Sequence, residues 1–260
     1  MRVPFRHIDA FTREPFRGNP AGVCLLDAWP DDAVLRDVAR EMNLSETAFA
    51  VPDGDAWRLR WFTPETEVPL CGHATLATAH ALFECHDVPE LRFETASGTL
   101  TVRRDGDRYE LDLPAQPARP CTAPTSLAGA LGIVPRLCLG NERSNVAVLE
   151  NAQQVRDLRP DEKVVRRLLL PYLIATAPGD DCDFVSRFFA PAVGVPEDPV
   201  TGAAHCVLVP YWAERLGRTQ LHARQLSARG GELWCTAKGD RVLLAGYAVT
   251  IVEGWLHLPG

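Results

Sequence analysis

Arg60-Trp-Phe-Thr-Pro-Glu-Thr-Glu-Val-Pro-Leu-Cys-Gly-His-Ala-Thr-Leu76 has a second copy in the same chain, Arg187-Phe-Phe-Ala-Pro-Ala-Val-Gly-Val-Pro-Glu-Asp-Pro-Val-Thr-Gly-Ala-Ala-His205. Both read Arg, aromatic, Phe, small residue, Pro, and then Val-Pro four residues on. Arg60 and Arg187 lie 127 positions apart. Each copy passes a glycine, Gly72 or Gly202, into an apolar run of helical character. Three extra residues, Pro199-Val200-Thr201, precede the second glycine. Downstream, Ser97-Gly-Thr-Leu100 matches Gly230-Gly-Glu-Leu233, and Asp105-Gly-Asp-Arg108 matches Lys238-Gly-Asp-Arg241. A period of half the chain is too long for a solenoid. It predicts two similar domains, residues 1–116 around a central helix 72–85 and residues 117–260 around a central helix 202–216, with the two loops meeting at a cleft.

The 260 residues suit one large or two smaller domains, and 46% hydrophobic with 23% charged residues is ordinary for a soluble globular chain. The net charge is −7 and no basic tract stands out, which argues against nucleic acid or an anionic membrane as partner. The N-terminus, Met-Arg-Val-Pro-Phe-Arg-His, lacks the apolar region of a signal peptide, and no apolar run approaches the ~20 residues that span a bilayer. Eight cysteines are scattered without a Cys-x-x-Cys pair, so reduced thiols and a cytoplasmic location are expected. Seven histidines show no zinc-ligand spacing, and no metal is expected. There is no Gly-x-Gly-x-x-Gly and no Gly-x-x-x-x-Gly-Lys, hence no nucleotide cofactor.

Phe5 to Phe11 and Ala21 to Leu26 read as strands joined by a turn rich in Arg, Pro, Gly and Asn. Asn19 in that turn is either a cap or a hydrogen-bonding group at a ligand, because the flanking glycines allow close backbone approach. Asp31 or Asp32 caps a helix to about Met42. Glu46 opens the apolar Ala48-Phe-Ala-Val51. It is either an exposed turn residue or a general acid/base in an apolar pocket. Pro114 to Pro124, with four prolines, reads as the interdomain link. Asp161 to Leu169 reads as a helix. Leu221 to Ser227, Glu232 to Ala237, Arg241 to Tyr247 and Val249 to Leu256 read as the strands that complete the second sheet.

Each repeated loop ends at a helix N-terminus, where unpaired N–H groups and the helix dipole attract anions. Gly72 and Gly202 remove side-chain bulk where a substrate carboxylate docks, or else simply permit close packing. Cys71 and His73 flank the first glycine, and counting from Arg60 and Arg187 places Asp198 opposite Cys71. Different ionisable groups at matching positions suit a reaction that moves a proton between two carbons. The plain alternatives are a satisfied core histidine and a small buried cysteine.

At these residues the chain resembles a known family. Asp9-Ala-Phe-Thr12, Gly18-Asn-Pro-Ala-Gly-Val23, Asn43-Leu-Ser-Glu-Thr47, Cys71-Gly-His-Ala-Thr75 and Glu197-Asp-Pro-Val-Thr-Gly202 are similar to the motifs of the phenazine-biosynthesis PhzF-like isomerases. Ser227-Ala-Arg-Gly-Gly231 and Val249-Thr-Ile-Val-Glu-Gly254 fit as well. The resemblance implies an α+β fold like that of diaminopimelate epimerase: two pseudo-symmetric halves, each a curved, mostly antiparallel sheet around a central helix, with the active site between them. It implies cofactor-free isomerisation of a small carboxylic acid by proton transfer, in a homodimer. Glu46 then takes the place of the catalytic acid/base. His73 and Asp198 line the substrate pocket, and Gly72 and Gly202 with their neighbours bind the carboxylate. Where phenazine-pathway members usually carry Ser, this chain has Ala203, so a substrate-binding hydroxyl is missing and the dihydro-hydroxyanthranilate substrate does not carry over. Two alternatives remain: a Cys71-dependent amino-acid epimerase or racemase, and a metabolite-binding protein without catalysis. Only one thiol stands at the paired positions, which disfavours the two-thiol mechanism.

Overall fold

The computed structural model describes residues 1–258. The chain forms two compact units, Met1–Leu113 with the C-terminal stretch from Leu244, and Pro114–Leu243. In the first unit β1 (Arg2–Ala10) and β2 (Asn19–Leu25) pair antiparallel. Helix α1 (Asp32–Met42) then crosses to β3 (Glu46–Asp53), which runs parallel to β2. Strand β4 (Ala56–Phe62) turns back along β3, and the short β5 (Glu67–Val68) pairs with the end of β4. After α2 (Gly72–Cys85), β6 (Glu90–Thr95) lies parallel to β4 and continues antiparallel into β7 (Gly98–Asp105) and β8 (Arg108–Pro114).

The second unit repeats this order of pairings. It opens with β9 (Arg119–Pro120), α3 (Leu127–Leu131) and β10 (Leu137–Gly140), with β9 and β10 antiparallel. β10 pairs antiparallel with β11 (Ser144–Val148), and α4 (Ala152–Asp157) and α5 (Glu162–Val165) cross to β12 (Tyr172–Pro178), parallel to β11. β13 (Phe184–Ala190) runs back along β12 and pairs with the short β14 (Val195–Asp198). Beyond α6 (Gly202–Leu216), β15 (Gln220–Gln225) is parallel to β13 and antiparallel to β16 (Gly231–Lys238). The fold is therefore α+β with two pseudo-symmetric halves, each a mostly antiparallel sheet with one long central helix. The duplicated stretch is the β4–β5–α2 and β13–β14–α6 segment of each half.

Helix α2 is buried on every side from His73 to Phe83, as its all-round apolar sequence requires. Its polar groups are bonded locally. Thr75 donates to the Cys71 carbonyl (2.5 Å), Thr78 to the Ala74 carbonyl (2.7 Å), and His80 joins Tyr109 (2.9 Å) and Thr250 (3.0 Å) through its two ring nitrogens. Helix α6 contains Pro210, which has no N–H to give the Cys206 carbonyl one turn earlier. Gln116 supplies that donor at 3.0 Å, so the proline-rich entry segment docks where the helix is short of a hydrogen bond. Matched arginines also brace the matched loops: Arg60 grips Glu67 (2.7 and 2.8 Å), and Arg187 grips Glu197 (2.6 and 2.8 Å), each as a two-pronged pair.

Several elements differ from the sequence reading. The last strand does not complete the second sheet. β17 (Arg241–Gly246) carries the chain back, and β18 (Ala248–His257) pairs antiparallel with β1, from Arg2 opposite His257 to Ala10 opposite Ala248. The helix expected over 161–169 stops at Val165: Arg167 and Leu168 bond back only three residues, to Val164 and Val165, so the chain tightens out of the α-helix well before Pro171, and Leu169 is exposed. Asp31 holds the N-cap position of α1 without a side-chain cap, and Asp32 instead pairs with Arg60 at 2.8 Å.

The turn between β1 and β2 is tightly fitted at Gly18. Its φ is +63°, and a Cβ there would sit 2.2 Å from the Ala10 carbonyl oxygen. Gly18→Ala is expected to destabilise the protein by ~2–4 kcal/mol in urea unfolding; a change under half of that would show that the turn can open.

Candidate active site

The site in the first unit begins with strand starts. Asn19 is the first residue of β2 and Glu46 the first of β3, and Ala21 opposite Glu46 sets the register of that parallel pair. Their side chains converge on the first turn of α2. The Asn19 amide nitrogen lies 3.2 Å from His73 Nδ1, and the Asn19 carbonyl oxygen lies 3.4 Å from the Ser45 hydroxyl that donates to it. His73 Nε2 stands 3.3 Å from Glu46 Oε2, close but not aligned as a hydrogen bond. Cys71 Sγ lies 3.5 Å from Nδ1. Asn19, Cys71 and His73 are buried, while the Glu46 side chain keeps 18% of its surface exposed.

Burial pushes the His73 imidazole down to about 3, offset in part by a hydrogen bond to the Pro20 backbone. The ring is therefore neutral at physiological pH, and the Glu46 contact is not a salt bridge. A neutral neighbour places no positive charge beside the carboxylate.

In the second unit Asp198 ends β14, and Pro199, Val200 and Thr201 separate it from α6. Thr201 donates its hydroxyl to Asp198 Oδ2 at 2.5 Å. Gln225 fixes the loop between them: its oxygen accepts from the Thr201 N–H (2.9 Å), and its nitrogen donates to the Asp198 carbonyl (2.8 Å) and the Thr201 hydroxyl (3.1 Å). Ser227 donates to the Pro199 carbonyl at 2.9 Å. Gly202 is buried and Ala203 exposed in the first turn of α6. His205 is buried, bonds the Thr201 carbonyl through Nδ1 at 2.8 Å, and is held down to about 4 by burial.

Both central helices start without a side-chain cap. Cys71 and Thr201 are the N-cap residues, with nearly the same extended backbone (φ −144°, ψ 107° and φ −117°, ψ 105°). A Thr at that place commonly accepts from the helix's own first N–H groups; here its hydroxyl is turned to Asp198. Counted from the helix starts, Thr201 and not Asp198 is the counterpart of Cys71. The insertion Pro199-Val200-Thr201 shifts the equivalence that counting from the arginines had set. Thr75 and His205 correspond in turn, and each bonds the N-cap carbonyl of its helix.

The structure thus gathers Asn19, Glu46, Cys71, Gly72 and His73 in one unit, and Asp198, Gly202 and Ala203 around the start of α6 in the other. Sequence reasoning missed Ser45, Thr201 and Gln225; Ser45 and Thr201 each lie within three residues of a singled-out carboxylate, the one signal available. Among the described residues, Glu46, Cys71 and His73 also bring potential metal-ligand atoms within 4.8 Å of one another. Cys71 stands on the Nδ1 side of the ring and Glu46 on the Nε2 side, so the three donors do not converge on one point through one imidazole nitrogen.

The chain is similar to known proteins over nearly its whole length. A family model described as phenazine biosynthesis-like protein matches residues 8–254. An uncharacterized isomerase of Pseudomonas aeruginosa is 52% identical over 260 residues, covering 99% of this chain and 100% of the relative. A crystal structure of a PhzF-family phenazine biosynthesis protein from Enterococcus faecalis has a TM-score of 0.97 at 42% identity, covering 99% of this chain and 100% of that one. A predicted epimerase from Pseudomonas aeruginosa, at 20% identity and TM-score 0.73, covering 98% of this chain and 99% of its own, shares the fold. Fold and relatives together define an isomerase of the diaminopimelate-epimerase-like class. Within that class, the chain belongs to the phenazine biosynthesis-like, PhzF family. Among the described residues no helix is long and apolar enough to cross a membrane.

Two buried histidines with lowered values make stability depend on pH. Their charge is excluded in the folded state and accepted in the unfolded one, so the contribution is complete above the ordinary histidine range near 6.5 and lost as pH falls below it. Between pH 6.5 and 5 each should cost ~1–2 kcal/mol of stability. Urea unfolding at a series of pH values should show this fall, and His73→Asn should make it shallower by the share of one histidine; an unchanged slope in that variant would mean His73 is already protonated when folded.

Proposed function

We propose that the enzyme isomerises a small carboxylic acid without a cofactor, with Glu46 as the general acid/base. The carrying observation is the 3.3 Å approach of Glu46 Oε2 to the Nε2 of a buried, neutral His73. Glu46 takes a proton from a carbon activated by the substrate carboxylate, and the electron pair passes into the conjugated system as an enolate-like anion. The same carboxyl group then returns the proton to another carbon, so substrate and product have the same atoms. His73 stands beside the Glu46 carboxylate without placing a positive charge next to it. Backbone N–H groups at the uncapped starts of α2 and α6, near Gly72 and Gly202, offer the substrate carboxylate its donors. Asp198, set by Thr201 and Gln225, takes polar substituents. Ala203 presents a methyl where a hydroxyl would add a donor, which favours a substrate different from that of the phenazine pathway. The working form in this reading is a homodimer.

A second reading has one observation in its favour: Cys71 Sγ is 3.5 Å from His73 Nδ1, within reach for proton exchange. Against it, the matching N-cap position holds Thr201, whose hydroxyl is committed to Asp198, so there is no second thiol.

Deuterium uptake from heavy water, followed by mass over a panel of small cyclic and amino carboxylic acids, separates the readings. Glu46→Gln should lower exchange ~10²-fold or more, and Asp198→Asn should weaken apparent substrate binding. Cys71→Ala should keep most of the exchange. Near wild-type exchange in Glu46→Gln refutes the acid/base role, and loss in Cys71→Ala alone favours the thiol.

A further inference from the structure

The eight cysteines are all free thiols, but two of them are not scattered. Strands β9 and β10 pair antiparallel with Pro120 opposite Leu139 and Arg119 opposite Gly140. One step along the same register sets Cys121 opposite Cys138. The Cys121 N–H donates to the Cys138 carbonyl at 3.1 Å, which confirms that the ladder reaches them. Residues bonded opposite each other in this way have Cα atoms ~5.5 Å apart, inside the ~4.4–6.8 Å that a disulfide accepts. Their side chains share a face of the sheet. The Cys121 sulfur leans over Gly140, where a Cβ would meet it at 3.3 Å. Gly140 thus leaves open the space through which this thiol can swing to its neighbour.

Access differs between the two. Cys121 is exposed, whereas Cys138 is 7% exposed and belongs to the core cluster with Leu127, Ala130 and Leu131 of α3. Burial and the adjacent Cys121 both raise the Cys138 thiol. Cys206 and Cys235 also lie near each other, but both are buried, with no exposed sulfur to admit an oxidant.

We propose that Cys121 and Cys138 are a reversible disulfide site, oxidised by a small-molecule disulfide such as that of glutathione. The Cys121 thiolate attacks the small disulfide, forming a mixed disulfide and releasing one small thiol. The Cys138 thiolate then attacks the Cys121 sulfur and releases the second. Two protein thiols are oxidised to one disulfide, one small disulfide is reduced to two thiols, and the two protons pass to those leaving groups. Exposure at Cys121 starts the exchange, and the buried, raised thiol of Cys138 makes the closing step slow. A cross-strand bridge between hydrogen-bonded positions on an exposed strand is readily reduced again. When closed, it ties the entry segment of the second unit to β10, where the ladder is short. It also encloses α3 in a covalent loop, which restricts the unfolded chain.

The full-length protein should be equilibrated in oxidising and reducing glutathione buffers and mapped by mass. The expected oxidised product is a single chain that has lost two hydrogens, with Cys121 joined to Cys138 and the other six thiols still alkylatable. Its Tm should rise by a few degrees and return on reduction. Cys121→Ser, at an exposed position, should fold normally, lose no hydrogens and show no redox-dependent Tm. A stable mixed disulfide at Cys121 without closure, cross-linked chains, closure in the Cys121→Ser variant, or closure with no rise in Tm would each overturn the proposal.

Discussion

Desolvation of one imidazole links the fold of the first unit to its chemistry. His73 sits in the first turn of a helix that is buried on all sides, so the ring has no water to carry a charge into. Its neighbours include the Asn19 amide and the Pro20 backbone from β2, the Glu46 carboxylate from β3, and the Cys71 thiol at the start of its own helix. Had the ring been exposed, the pair would be an ordinary screened contact with His73 partly cationic. Here the Glu46 carboxylate stands 3.3 Å from a buried, neutral ring and keeps 18% of its own surface exposed.

Duplication sets the remaining geometry, and the two halves use it differently. Each has an arginine bracing the loop, an extended N-cap residue and a side chain bonded back to the N-cap carbonyl. The first half then fills its site with titratable groups around an imidazole. The second has three additional residues, and these let a threonine hydroxyl and a glutamine amide position one aspartate. Pro210 shows the same economy in the core, since the helix bond it breaks is replaced by Gln116 from the segment that enters this unit.

Much of this could be read from residue order. The Arg-aromatic-Phe pattern located both loops, Gly72 and Gly202 marked helix starts, and the position of Glu46 before an apolar run placed it at a strand's beginning. What escaped was whatever depends on tertiary pairing. Val249 to Leu256 looks the same as a strand whichever sheet it joins, and its partner β1 is fixed by register across almost the whole chain. The proximity of Asn19 to His73 needs α2 to pack against the start of β2, which no local pattern encodes. The false match of Asp198 with Cys71 arose because counting from the arginines ignores where insertions fall, whereas backbone angles at the helix starts do not. The expected helix over 161–169 ends early in i→i−3 turns at Arg167 and Leu168, a tightening that the apolar pattern does not mark.

The strand that closes the first sheet also has consequences for synthesis. Met1 and Leu258 exchange backbone hydrogen bonds at 2.7 and 2.8 Å, so β1 lacks one neighbour until nearly all of the chain described here has left the ribosome. The intervening half has its own sheet and core and can fold while that edge is still open. Such a long-separation pairing is slow to form, and an unpaired β1 is meanwhile exposed to other chains. The nearness of the two ends offers a way to test this: a circular permutant that joins them would make β18 and β1 neighbours in sequence and turn the last contact to form into one of the first.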